Sequence, residues 1–128
     1  MLKTYKSKYN FNELKIKLES QIIKRDMNIF SRINHSENAE SVGMKLNRSI
    51  LFIFGNPRNG TLLIRNDMRI GLYLPLKILI WEDDNKNPFI TYEPIGDVIS
   101  KFNLKENKDL LIKMDNLLET IVNELAEK

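Results

Sequence analysis

The sequence has no cysteine and a single histidine among its 128 residues. Without cysteine there can be no disulfides or thiolate metal centres, and one histidine leaves oxygen atoms as the main potential metal ligands. Asp83, Asn85 and Asn87 imitate the start of a calcium loop, but Pro88 stands where that loop requires glycine. We therefore expect neither a metal site nor a cofactor.

Long apolar runs are also missing. The longest are Ile50 to Phe54 and Ile78 to Trp81, whereas a helix needs about 20 apolar residues to cross a bilayer. The first residues contain no apolar stretch of signal-peptide length. These absences predict a cytoplasmic protein that makes no contact with a membrane.

The charge is nearly balanced, with 20 basic and 17 acidic residues and a net charge of +3. The basic residues are spread along the chain without a dense cluster. This distribution favours an ordinary solvated surface over a nucleic-acid footprint.

Hydrophobic periodicity predicts helices near both ends of the chain and strands between them. Asn10 and Glu13 form a capping box at the start of a helix that reaches about Arg25. Alternation over 27–33 predicts a strand with Ile29 and Ile33 on one apolar face. The other expected elements are an edge strand at 2–9, a short helix at 36–42, a buried strand at 50–54, one or two helical turns at 62–68, a hairpin of strands 77–83 and 89–93, a helix after Pro94, and a last helix from about Leu110 to Leu125.

This order of elements predicts one α+β domain over residues 1–128. Hairpin-linked strands with helices towards the ends of the chain are typical of an antiparallel sheet. We expect about five strands with helices packed on one face.

Several short motifs, in order, resemble the family known as domain of unknown function 302 (DUF302). The motifs are Phe30-Ser31-Arg32-Ile33-Asn34-His35, Ile53-Phe54-Gly55-Asn56-Pro57, Gly60-Thr61, Gly71-Leu72-Tyr73-Leu74-Pro75-Leu76-Lys77, Trp81-Glu82-Asp83, and Tyr92 with Pro94. The resemblance implies a strand-helix-four-strand-helix fold, grouped with TATA-binding-protein-like shapes, and a homodimer. It implies no activity.

The segment from Gly55 to Thr61 is the densest turn signal in the chain. We expect a loop there whose backbone amides, with Asn56 and Arg58, bind a small polar or anionic ligand. Thr61 either caps the following helix or donates to the ligand, and the simpler alternative is a turn followed by a threonine cap. We add Gly60 and Lys77 to the candidate ligand-binding residues.

His35 is the candidate general acid or base, since it is the only histidine of the chain. No cysteine or serine motif accompanies it, so a structural role is favoured. Lys77 and Glu82 are expected on opposite faces of one strand, with Trp81 on the face of Lys77. A core position is the favoured role for Trp81.

The leading hypothesis is a small, dimeric binding module that takes up a small polar or anionic ligand near Gly55–Thr61. The alternative is an enzyme that uses His35, and a second alternative is a nucleic-acid-binding protein. A wide apolar stripe on the last helix also suggests a homodimer, unless the stripe merely covers the sheet. The stripe consists of Leu110, Leu111, Leu117, Leu118, Ile121 and Val122.

Overall fold

The computed structural model describes residues 1–128 and is built on a five-stranded antiparallel sheet. The strands are β1 (Lys3–Lys6), β2 (Asn28–Asn34), β3 (Ser49–Gly55), β4 (Leu76–Glu82) and β5 (Pro88–Tyr92), in the spatial order β1-β5-β4-β3-β2. The helices are α1 (Phe11–Ile23), α2 (His35–Glu40), α3 (Pro57–Ile64), α4 (Ile95–Val98) and α5 (Lys108–Leu125), with a 3-10 helix at Met68–Leu72. The predicted α+β fold is confirmed.

The first helix starts where the capping box placed it. Asn10 Oδ1 accepts a hydrogen bond from the Glu13 amide at 2.9 Å, and Asn10 Nδ2 donates to the Glu13 carboxylate at 2.6 Å. The helix ends at Ile23 rather than Arg25, because Asp26 takes a left-handed φ of 57° that reverses the chain.

One face of the sheet is covered by helices. Side chains at alternate positions of the strands point to it, among them Phe52, Ile78 and Ile90, which are completely buried. They form a single core cluster with the apolar sides of α1 and α5, including Leu14, Leu18, Leu118, Ile121 and Val122.

The apolar stripe of α5 belongs to this core. Leu118, Ile121 and Val122 are buried, and Leu110, Leu111 and Leu117 are partly buried against the core cluster. The stripe therefore covers the sheet, so its use as evidence for a dimer surface was wrong. Its width reflects the fact that α5 packs against α1 and α4 as well as over the sheet.

The opposite face of the sheet carries a second set of apolar side chains, none of which belongs to the core cluster or packs against it. We call this surface the open face and define it by Ile33, Leu51, Ile53, Leu79, Trp81 and Phe89. Trp81 was expected in the core, and that expectation was wrong, because its position in β4 points it away from the helices. Its Nε1 donates to Thr91 Oγ1 at 2.9 Å, and its ring stacks on Phe89.

The strand β2 contains a bulge that its sequence pattern did not predict. The pairing with β3 shifts between Ile29 and Ser31 and leaves Phe30 as the extra residue. Ile29 consequently packs against the core, whereas Ile33 lies on the open face. The expected common apolar face of Ile29 and Ile33 was therefore wrong.

None of the helices combines the length and the apolar character that a transmembrane helix needs.

Candidate functional site

The segment from Gly55 to Thr61 is the start of a helix rather than a loop, so the expected loop was wrong. Gly55 ends β3, Asn56 is the cap, and α3 begins at Pro57. Proline fits this first helical position because its missing N–H would have had no partner there. Only one residue therefore links β3 to α3, and the polar side chains after it are held in fixed positions.

Asn56 occupies the capping position that the sequence assigned to Thr61. Its Oδ1 accepts hydrogen bonds from the backbone amides of Arg58 at 2.9 Å and Asn59 at 3.2 Å. Thr61 lies inside the helix, where its Oγ1 donates to the Pro57 carbonyl at 2.7 Å. A threonine cap at position 61 was therefore wrong, and the Thr61 hydroxyl can still accept a hydrogen bond from a ligand.

The backbone donors at the start of α3 are already engaged. Besides the two amides bound by Asn56, the Gly60 amide donates to the Asn56 carbonyl at 3.0 Å, and Pro57 has no N–H. An anion at this helix end would have to displace the Asn56 side chain. The amide nitrogen of Asn56, by contrast, makes no hydrogen bond within the chain.

A cavity of about 230 Å³ lies beside α3, where β3 ends and β4 begins. Three of the predicted site residues, Asn56, Gly60 and Thr61, contribute to its wall. The rest of the wall is mostly apolar and comes from distant parts of the chain: Phe30, Gly55, Pro57, Ile64, Leu74, Pro75, Leu76 and Met114. The cavity is smaller than the roughly 300–1,000 Å³ typical of drug-sized ligands, so it suits a small molecule.

Arg58 and Lys77, the two predicted cationic site residues, do not line this cavity. Arg58 is exposed on α3. Lys77 is exposed on the side of the sheet that carries the open face, and it lines a neighbouring groove of about 330 Å³ together with Tyr73 and Glu93. The two spaces share Pro75 and Leu76 as a common wall.

The predicted opposition of Lys77 and Glu82 is confirmed. Glu82 lies on the helix-covered side, where its carboxylate is 3.7 Å from the Arg48 guanidinium. That guanidinium in turn sits over the ring of Phe11, 4.2 Å from its centroid. Lys77 makes no ion pair on its side of the sheet.

His35 is the first residue of α2 and is exposed. Its side chain makes no hydrogen bond or ion pair, and it does not line the main surface cavities. A general acid or base needs a second polar group within hydrogen-bond reach of its substrate. The geometry around His35 therefore provides no support for the enzyme alternative.

Acidic groups with perturbed pKa values lie outside the cavity. Hydrogen bonds from Arg69 lower the pKa of Asp67 to about 2. The Asn87 backbone amide, at 2.8 Å, lowers the pKa of Asp83 and closes the hairpin between β4 and β5. Both shifts arise from local turn geometry, so neither marks a reactive group. No cluster of three or more potential metal ligands is present.

Sequence reasoning missed Phe30, Leu74 and Met114 as lining residues of the cavity. They come from β2, from the segment before β4 and from α5, and only the tertiary fold brings them together. Their apolar side chains gave no local signal of a site. The polar residues after β3 were found because they follow a strand in a cluster of turn-forming residues.

The fold belongs to the α+β class with a single antiparallel sheet, and it matches a solved structure closely. The crystal structure of an uncharacterized conserved DUF302 protein from Bacillus stearothermophilus superimposes with a TM-score of 0.85 over 97% of each chain, at 14% sequence identity. The model of the family Domain of unknown function DUF302 matches residues 3–124. The chain therefore belongs to the DUF302 family.

Relatives with functional names also exist. A protein named fluoride-specific ion channel FluC 1 from Brucella suis is 32% identical over 112 residues, which is 88% of this chain and 44% of that protein. A protein named FluC 2 from Brucella melitensis is 32% identical over 112 residues and is covered to 42%. The chain thus spans less than half the length of these relatives.

Proposed function

We propose that this chain is a small-molecule-binding module whose ligand occupies the 230 Å³ cavity beside α3, and that it works as a homodimer. The convergence of Asn56, Gly60 and Thr61 on a mostly apolar space carries the proposal. Sites for small molecules commonly combine an apolar wall with a few placed polar groups.

The polar groups define the kind of ligand. The free amide nitrogen of Asn56 is a hydrogen-bond donor, and the oxygen of Thr61 is an acceptor. A ligand that matches both has an apolar body and a small polar head with an acceptor and a donor, such as an amide or a protonated acid. Lys77 lines the neighbouring groove, which shares a wall with the cavity, and would favour an anionic group on a longer ligand.

The test is a titration of the protein with small amides, alcohols, carboxylates and phosphates, followed by amide NMR shifts. We expect saturable shifts at Gly55, Gly60 and Thr61. Gly60→Leu should fill the cavity, since a Cβ at Gly60 meets no atom within 4 Å. This variant should lose about tenfold in affinity, or about 1.4 kcal/mol.

Arg58→Ala is the matched control, because Arg58 lies on the same helix but outside the cavity. It should bind like the unchanged chain. Shifts confined to other residues, or equal losses in both variants, would contradict the proposed site.

A second candidate function comes from the relatives named as fluoride-specific ion channels. We propose as an alternative that the module serves an ion-transport system and responds to a small anion. The observation that favours it is 32% identity over 88% of this chain. Fluoride in the same titration separates the two candidates: shifts with fluoride at millimolar concentration, matched by chloride only weakly, would favour the alternative.

A further inference from the structure

The open face differs from the usual solvent side of an antiparallel sheet. Such a side normally carries polar residues that alternate with the core residues. Here β1 follows that rule with Thr4 and Lys6, whereas the other strands place six partly exposed apolar side chains on this face beside the polar Ser31, Ser49 and Thr91. Four of the five strands, including the edge strand β2, thus place partly exposed apolar side chains on the open face.

The arrangement of these side chains is that of an interface. Leu51 and Leu79 lie side by side at the centre, because they are direct partners across β3 and β4. Trp81 and Phe89 stack beside them with ring centroids 4.9 Å apart. The charged residues Lys6 and Lys77 lie towards the margins, so an apolar centre has a polar rim.

The size of the open face fits a second sheet of the same kind. Five strands at about 4.8 Å and three rows of outward-pointing side chains at about 6.7 Å give a face of roughly 500 Å². Two copies would then bury about 1,000 Å² in total, which is near the lower bound for a specific interface. Two such sheets pack face to face at about 10 Å with interdigitated side chains.

We propose that the open face is the surface on which a second copy of this chain packs, sheet against sheet. The inference rests on the homodimer of the proposed function and adds its location. A copy of the chain offers a face of equal area and equal apolar character. In this dimer the uncovered layer of side chains becomes a second core between two sheets.

Trp81 is the only tryptophan of the chain and lies within the proposed interface. Its fluorescence therefore reports on the open face without a label. On dilution from about 50 μM into the nanomolar range, at affinities typical of such interfaces, we expect its emission to move to the red and its quenching by acrylamide to rise. Light scattering at high concentration should give twice the chain mass of 15.1 kDa.

Ile53→Lys is the disrupting variant. It adds a second lysine directly across from Lys77, on a surface without helices. It should give a monomer at every concentration, with Trp81 in its red-shifted state. Ile16→Lys is the matched control, since Ile16 is an exposed isoleucine (67%) on α1, and it should remain a dimer.

Three outcomes would overturn the inference. If the chain is a monomer at all concentrations and the Trp81 emission does not change, both the interface and the homodimer of the proposed function are rejected. A dimer that survives Ile53→Lys and leaves Trp81 exposed uses another surface, and then only the location falls. If the chain stays a monomer and the Trp81 emission shifts to the blue only when lipid vesicles are added, the open face binds a lipid surface and not a second copy of the chain. If Ile53→Lys fails to fold, the dilution series on the unchanged chain decides.

Discussion

The two faces of the sheet are formed by the same strands but have very different surroundings. Phe52 in β3 points to the helices and is completely buried, whereas its neighbour Leu51 points to the open face and is only partly covered. Both are apolar, so composition does not separate them. What separates them is the presence of α1 and α5 on one side only.

This difference shows that the residues of one apolar run can have two different environments. A fully apolar strand indicates burial on both faces, and β3 is such a strand. In the chain by itself one face is buried by helices and the other is not. The open face therefore either forms an interface or lowers the solubility of the protein.

The largest expected effect compares these two neighbours directly. Phe52→Ala should lower the free energy of unfolding by about 3–5 kcal/mol, because it removes a buried ring and leaves a cavity. Leu51→Ala should cost only about 1–2 kcal/mol in the monomer, since little area leaves contact with the core. Urea denaturation at low protein concentration measures both. Equal losses would mean that the two faces are equally buried.

A second prediction concerns the helical layer. The Asp115 carboxylate of α5 accepts hydrogen bonds from the backbone amides of Ile95 at 2.6 Å and Gly96 at 3.0 Å, and so joins α4 to α5. Asp115→Ala should cost about 2 kcal/mol, because hydrogen bonds to a charged group are stronger than neutral ones. Asn116→Ala, an exposed neighbour without side-chain bonds, should be near neutral. Thermal unfolding of the pair would show whether this joint holds the helical layer together.

The sequence predicted the fold well where the signals are local. The capping box at Asn10, the strand at Ile50–Phe54 and the hairpin before Phe89 all depend on neighbouring residues, and each element is present. The bulge at Phe30 was missed, because the alternation of β2 gives no sign of an inserted residue. Trp81 was misplaced because its side of the sheet depends on where α1 and α5 pack.

The candidate site was predicted only in part, for a related reason. Asn56, Gly60 and Thr61 are close in sequence, so a local pattern found them together. The cavity also needs Phe30 and Met114, which are 26 and more residues away along the chain in either direction. Long-range packing creates that space, and single-sequence patterns carry no record of it. Proline at 57 was interpreted as a loop residue, although it equally suits the first turn of a helix.

The third prediction tests the covered face by pH. Burial raises the pKa of Tyr92 to about 12 from an ordinary value of 10.0. Between these values the unfolded chain loses the phenol proton and the folded chain keeps it, so stability should fall as pH rises from 10 to 12. In Tyr92→Phe this part of the alkaline loss should be absent, whereas Tyr9→Phe should retain it, because Tyr9 is not among the groups that raise the pKa of Tyr92. Urea unfolding at pH 9 and pH 11 gives the comparison, and an identical pH dependence in all three chains would rule out Tyr92 as its source.

The smallest expected effect lies at the border between the two faces, where α3 meets the cavity. Gly60 is inside α3, and a Cβ there meets no atom within 4 Å. Gly60→Ala should therefore raise the free energy of unfolding by about 0.5–1 kcal/mol, because alanine loses less backbone entropy in a helix than glycine does.

Gly43 is the contrasting control, since it lies after the end of α2 and has a φ of +75°. Gly43→Ala has equally open space around it but should destabilise by roughly 1 kcal/mol, because a left-handed backbone is unfavourable for residues with a Cβ. Thermal unfolding of both variants decides the matter. A loss of stability in Gly60→Ala would mean that the space beside α3 is filled in solution, and that the cavity is smaller than its 230 Å³.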